Sequence, residues 1–371
     1  MPSPFRLVRF QESGLLLVIL ALGVLLTVFS GSVRVPLFTA GPDGSRQRVF
    51  TTGANGEREP VTVQRNKFLN LQNLAQLAKD TSFVAIMAVG MSLVIIAGGI
   101  DLSVGAIYAL ASVLGALVFH RFGPEGAAAA SPAWLGCILG AGACVGAGLL
   151  CGLANGGLIV ALRVHPFIIT LGTMAILRGI AFVATQGQSI GGFPPAFRDF
   201  VRHETGNGLS LVPLAAMLAV AGAGGLYLSR LAAGRRVYAV GGNELAARFS
   251  GIRVERVKLG VYLLSGLAAG FAALLSLGYY GAATSGDGQG YELNVIAAAV
   301  VGGASLAGGR GSALGAVLGA LIIQMIASGI VILGIDQNYS QIIIGGVVIA
   351  AVVLDNLNTW LARRRLTAKA G

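Results

Sequence analysis

The sequence predicts an all-α polytopic integral membrane protein of about ten transmembrane helices with both termini cytoplasmic, on three observations. Only 11% of its 371 residues are charged and 55% are hydrophobic, whereas a soluble domain carries about 25% charged residues. Apolar runs recur along nearly the whole chain, and about 20 such residues in a helix cross the hydrocarbon of a bilayer. Most of the 26 Lys and Arg flank or join those runs, in the short loops where basic charge marks the cytoplasmic side. The net charge of +11 therefore reads as topology, with no nucleic-acid partner implied.

Residues 1–13, with Arg6 and Arg9, form a cytoplasmic N-terminus ahead of a first span at 14–30. No clean cleavage site follows that span, so it reads as a retained helix and not a secretory signal. Residues 31–79 form a long loop on the outer side, and its stretch 41–66 lacks apolar periodicity and reads as a surface loop or small hairpin. Its seven basic residues run against the charge rule, which long loops obey weakly. Further spans are predicted at 81–98, 102–120, 133–162, 167–186, 211–231, 258–280, 291–307, 311–333 and 341–359. The transmembrane domain as a whole covers 14–362, and a basic tail at 363–371 ends the chain.

The fourth span places Gly136 and Gly140, then Gly148, Gly152 and Gly156, at four-residue steps, a small-residue face on which a second helix can cross closely. Cys137, Cys144 and Cys151 share that run without any His or acid, so packing is expected there and no metal site. Asn155 on the glycine face needs a partner in lipid: it either bonds a neighbouring helix or lines a polar path. The turns "AGGIDLSVGA" (97–106) and "AGGRGSALGA" (307–316) resemble each other, a weak sign of the internal duplication common in transporters.

The charged residues narrow the mechanism. None of the fifteen acids falls in the middle of a predicted span, and the three His lie at span ends or in loops. Ion-coupled carriers need intramembrane relays of such groups, so a self-sufficient secondary carrier is disfavoured. A phosphate-binding GxxxxGK[ST] loop and HExxH are both missing from the sequence, which points away from an ATPase or a zinc hydrolase within this chain. Arg178 is the main intramembrane charge, ~16 Å along its helix from Phe167 and close to mid-bilayer. It either bonds backbone carbonyls at a helix break or lines a polar route.

Between spans six and seven lies a polar stretch, 232–257, and seven basic residues run from Arg230 just before it to Lys258 just after it. Asn243 suits an N-cap, Glu244 the first turn and Gly251 the stop, giving a helix of about two turns with Leu245 and Phe249 on one side. So short a helix is marginal alone in water. It either docks onto a cytoplasmic partner or is an ordinary loop hugging the headgroups.

Four stretches carry a resemblance: "FVAIMAVGMSLVIIAGGIDLSVGAIYAL" (83–110), "NGGLIVALRVHPFIITLGTMAILRG" (155–179), "YAVGGNELAARFSGIRVERVK" (238–258) and "GYELNVIAAAVVGGASLAGGRGS" (290–312). In this order they resemble the ribose-type monosaccharide permeases of bacterial ABC importers, over about 68–356, with a longer outer loop at 31–66. The resemblance implies a type II ABC importer fold in the bacterial inner membrane. It implies a paired second permease, cytoplasmic ABC ATPases that carry the ATP and Mg, and a periplasmic sugar-binding protein; this chain itself would hold no cofactor. It makes the segment of Gly241, Gly242, Asn243, Glu244, Leu245, Ala246, Arg248, Phe249 and Gly251 the ATPase-coupling helix. Arg121, Arg198 and Arg202 become candidates to meet acids on the binding protein. Asp101, Ser103, Asn155, Thr170, Arg178, Tyr291 and Glu292 are candidates for the polar lining a hydroxylated sugar would need. Asp101 and Ser103 are equally candidates to cap the third span, and Glu292 the eighth. Another small polar solute, such as a furanose signal molecule or a branched-chain amino acid, is the alternative cargo.

Overall fold

The computed structural model describes residues 4–40, 46–52, 57–205, 208–350 and 352–353; the predicted tail at 363–371 and the end of the last span lie outside them. Helices α1 (Pro4–Phe29), α2 (Leu71–Ile96), α3 (Val104–Arg121), α4 (Ala133–Leu162) and α5 (Pro166–Thr185) form the first half. After a short α6 (Pro195–Val201) come α7 (Leu211–Arg230), α8 (Ala232–Gly242), α9 (Glu244–Phe249) and α10 (Val254–Tyr280), then α11 (Tyr291–Val301) and α12 (Ala313–Ile332). A last apolar helix, α13, covers Tyr339–Ala350. Eight of these are long and apolar enough to cross a membrane, while α11 and α13 are shorter.

α2 is the axis of the bundle. It is buried on all sides from Thr81 to Ile96, as expected of a helix that is apolar all round. It begins ten residues before the predicted span, so Lys79 belongs to a helix and not to the outer loop, and it is only 2% exposed. Its Nζ pairs with Asp80 at 3.0 Å and lies 4.2 Å and 4.8 Å above the rings of Tyr279 and Tyr280 at the end of α10.

The glycine face of α4 is used along its length. A Cβ on Gly148 would sit 2.3 Å from the Gly266 carbonyl oxygen of α10, and one on Gly266 would sit 2.2 Å from that of Gly148. Gly152 and Gly270 extend this backbone-to-backbone crossing. Gly136 and Gly140 instead receive the rings of Phe122 and Phe119, and Gly115 of α3 leaves room for Cys144. The three cysteines are free thiols.

The outer segment corrects the all-α expectation. Strands β1 (Ser32–Pro36) and β6 (Thr62–Asn66), β2 (Phe38–Ala40) and β3 (Arg46–Arg48), and β4 (Phe50–Thr52) and β5 (Arg58–Pro60) form three antiparallel ribbons. They meet at one node. Leu37 N–H donates to Val61, Val61 to Val49, and Val49 back to Leu37, at 2.7, 2.9 and 2.9 Å. Each ribbon is only three to five residues long, too short for periodicity to register in the sequence. A fourth pair, β7 (Ile190–Gly191) with β8 (Ala282–Ala283), ties the segment after α5 to the end of α10.

α11, with 11 residues, rises only about 16 Å, half the hydrocarbon thickness. The predicted span 291–307 therefore breaks at Gly302 and Gly303 into a turn that runs to Ser312. Gly302 packs against the Gly315 carbonyl, 2.2 Å from where a Cβ would be, which lets α11 and α12 fold tightly together.

Candidate functional site

Four of the predicted polar residues converge. Asp101 and Ser103 lie on the turn between α2 and α3, Asn155 on α4 and Thr170 on α5, and all four are fully buried. The Ser103 hydroxyl donates to Asp101 Oδ1 at 2.6 Å, as does its backbone N–H at 3.0 Å. Asn155 Nδ2 donates to Ser103 Oγ at 2.7 Å, and Thr170 Oγ1 lies 3.5 Å from the Ile100 carbonyl. Asp101, Ser103 and Asn155 are thus bonded in a chain, while Thr170 donates to the Pro166 carbonyl of its own helix at 3.0 Å, and none of the four is open to solvent in this conformation. Asp101 caps the backbone of Ser103, whereas the Ser103 side chain makes no cap bond to α3. Burial raises the carboxyl of Asp101, at this helix-connecting turn, while the Ser103 and Ser265 bonds pull the other way.

Two members of this cluster were not anticipated. Tyr262 OH donates to the Ile100 carbonyl at 3.0 Å, and Ser265 Oγ to Asp101 Oδ2 at 3.2 Å. Both sit on α10 inside "GVYLLSG", where a hydroxyl in an apolar run was the available signal. Asn155 Oδ1 has no partner among the described residues.

A second cluster surrounds the non-helical stretch before α11. Arg178 Nη1 donates to the carbonyls of Ser285 and Asp287 at 3.0 and 2.6 Å. Irregular backbone at membrane depth must be satisfied by protein, and here a guanidinium does it. Tyr291 packs its ring 5.4 Å from that of Tyr108, whose hydroxyl donates to Ser276 at 2.6 Å. Glu292 does not cap α11, whose N-cap is Gly290; its Oε2 is buried against Gly105 of α3.

The three arginines proposed for docking divide. Arg121 is exposed at the end of α3. Arg202 is already engaged, donating from Nε to the Tyr279 carbonyl and from Nη2 to that of Tyr280 at 3.4 Å, so it covers the C-terminus of α10. Arg198 lies beside Gly281 with its Nε buried. Carbonyls orphaned at a helix end draw basic side chains, and that use was not legible in the spacing of these residues.

Between α7 and α10 the structure forms the short helix read from Asn243 and Gly251. Asn243 Oδ1 accepts from Ala246 N–H at 2.9 Å, and Gly251 takes φ +80°. Glu244 accepts from Lys258 at 2.8 Å and Arg248 pairs with Glu255 at 2.7 Å, so these charges brace α9 against α10. Ala247 packs inward on Val240 and Val254, while Leu245 and Phe249 are 67% and 89% exposed. Before α9 the structure adds α8, an amphipathic helix burying Gly234, Val237 and Val240.

With this geometry established, comparison with known proteins decides the family. The family model described as branched-chain amino acid transport system / permease component matches residues 73–352. The chain belongs to this family. The ribose import permease protein RbsC of Escherichia coli is 38% identical over 298 residues, covering 80% of this permease and 89% of that protein. The D-allose transport system permease protein AlsC of Escherichia coli is 39% identical over 291 residues, covering 78% and 85%. The galactose/methyl galactoside import permease protein MglC of Salmonella typhimurium is 36% identical over 303 residues, covering 80% and 90%. No solved structure matches. The permease is a multi-pass protein of the bacterial inner membrane. Both polar clusters and α9 lie within the matched residues, and the three-ribbon segment lies before them.

Proposed function

We propose that this permease is the membrane-spanning subunit of an ATP-driven importer that moves a monosaccharide delivered by a periplasmic binding protein. The observation that carries this reading is α9, a helix braced by ion pairs on one side and presenting a bare Phe249 on the other, within a family of transport permease components. A large aromatic side chain held out in this way fits a cleft on a partner. The partner is the cytoplasmic ATPase, which binds the ATP and Mg, and 241–251 is the coupling segment. With α11 and α13 as broken or partial crossings the spans number ten, both termini face the cytoplasm, and two permeases pair in the type II arrangement. Arg121, exposed and not spent on the end of α10 as the equally exposed Arg202 is, is the docking arginine that meets the binding protein.

The cargo follows from the relatives named for ribose, allose and galactose. A neutral sugar needs hydroxyl and amide partners and no fixed counter-charge, which suits Ser103, Asn155 and Thr170. A furanose signal is the second reading, favoured by 34% identity to the autoinducer 2 import system permease protein LsrD of Yersinia enterocolitica. The test is reconstitution in liposomes with and without the ATPase and binding protein, supplying ribose, allose, galactose or the autoinducer. Uptake that needs ATP and both partners is expected. Accumulation by the permease alone on an ion gradient would overturn the reading.

A further inference from the structure

Two turns with the same AGG start meet the chain just ahead of α9. α8 ends at Gly241 and Gly242, one residue from the α9 start. A Cβ on Gly241 would lie 1.7 Å from the Ile96 carbonyl oxygen and 2.6 Å from Gly309 N, and one on Gly308 would lie 2.6 Å from the Gly241 oxygen. Gly309 N–H itself donates to the Ile96 carbonyl at 2.8 Å, and Tyr238 OH of α8 donates to Gly311 at 2.7 Å. The end of α8 is therefore wedged, backbone against backbone, between the turn after α2 and the turn before α12. Contacts of this kind contain no rotatable side chain to absorb a displacement, so movement at α9 passes on as rigid shift.

The turn after α2 has a second attachment on its far side. Tyr262 OH holds the Ile100 carbonyl, Ser265 holds Asp101, and Asp101 reaches Asn155 of α4 through Ser103. Gly99 lets the phenol approach: a Cβ there would be 2.6 Å from Tyr262 OH. We infer that Tyr262 and Ser265 are positioning residues for coupling, tying the glycine junction at Gly241 to α10 while Asp101 and Ser103 tie it to Asn155 of α4, so that displacement of α9 moves the helices carrying the polar cluster. This rests on the coupling role of α9 proposed above. The buried Asp101 side chain then acts mechanically, as the knot in which the turn, α4 and α10 are joined.

Hydrogen–deuterium exchange on the permease assembled with its ATPase tests this, with ATP plus orthovanadate as the trigger. In the native complex, exchange is expected to change together at 241–251, 97–104, 152–158 and 259–267. In Tyr262→Phe with Ser265→Ala, the response at 241–251, 97–104 and 152–158 is expected to persist while that at 259–267 is lost, with basal ATP hydrolysis unchanged. Tyr262→Phe alone is expected to weaken the 259–267 response. A native complex that responds at 241–251 but not at 97–104, or a double variant that keeps the full 259–267 response, overturns the inference. So does a double variant that loses hydrolysis and thermal stability in parallel, which would mark a purely structural role. No response at 241–251 in the native complex defeats the coupling role of α9 itself, a different and separately visible failure.

Discussion

Lys79 Nζ lies 3.2 Å from the Tyr280 hydroxyl, joining α2 and α10 across 201 residues of sequence. Burying an ammonium is costly unless it is paired, and here Asp80 and the faces of two tyrosines surround it. Lys79→Ala removes the cation and the packing of its stem and is expected to lower stability by about 1–3 kcal/mol. Lys79→Met, which keeps the stem, should lose less. Thermal melting in detergent checks the order of the two variants.

Arg178 satisfies two backbone carbonyls at once, those of Ser285 and Asp287. Arg178→Leu strands them, at about 1–3 kcal/mol for each acceptor left without water. The expected outcome is a lower yield of inserted protein with unchanged sugar preference. Competition uptake among ribose, allose and galactose measures it, and altered preference at normal yield would put Arg178 in the path instead.

The α4–α10 crossing makes position-specific demands. Gly148→Leu drives a side chain into the Gly266 backbone, whereas Gly146 on the same helix has open space beside it. Gly148→Leu is expected to abolish a folded, monodisperse product, and Gly146→Leu to be tolerated. Size-exclusion profiles of the two variants decide it.

Phe249 is exposed and makes no brace among the described residues, unlike Glu244. Phe249→Ala should therefore leave the melting temperature of the isolated permease unchanged. Its assembly with the ATPase is expected to weaken by about 2 kcal/mol or more, the scale of an aromatic hot spot. Pull-down of the ATPase at graded salt and concentration reads this out, and native binding would refute the docking role.

Much of the helical frame was legible because lipid imposes a simple rule: backbone must be bonded within helices, so long apolar runs announce themselves. The span 133–162 coincides with α4, and Asn243 and Gly251 marked α9 through caps that act over three or four residues. The polar residues Asp101, Ser103, Asn155 and Thr170 could be named individually as ill-suited to lipid, but nothing in their spacing shows that the first three bond one another. Residue type records a local need for a partner; the partner itself sits on another helix. The partners Tyr262 and Ser265, the wedge at Gly241, the engagement of Arg202 and the burial of Lys79 all depend on which helix faces which. A bundle of membrane helices, with a short capped helix between α7 and α10, follows from the order of residues along the chain. How that helix is joined to the buried polar cluster is settled in three dimensions, because close backbone approach and paired burial are properties of surfaces brought together across hundreds of residues.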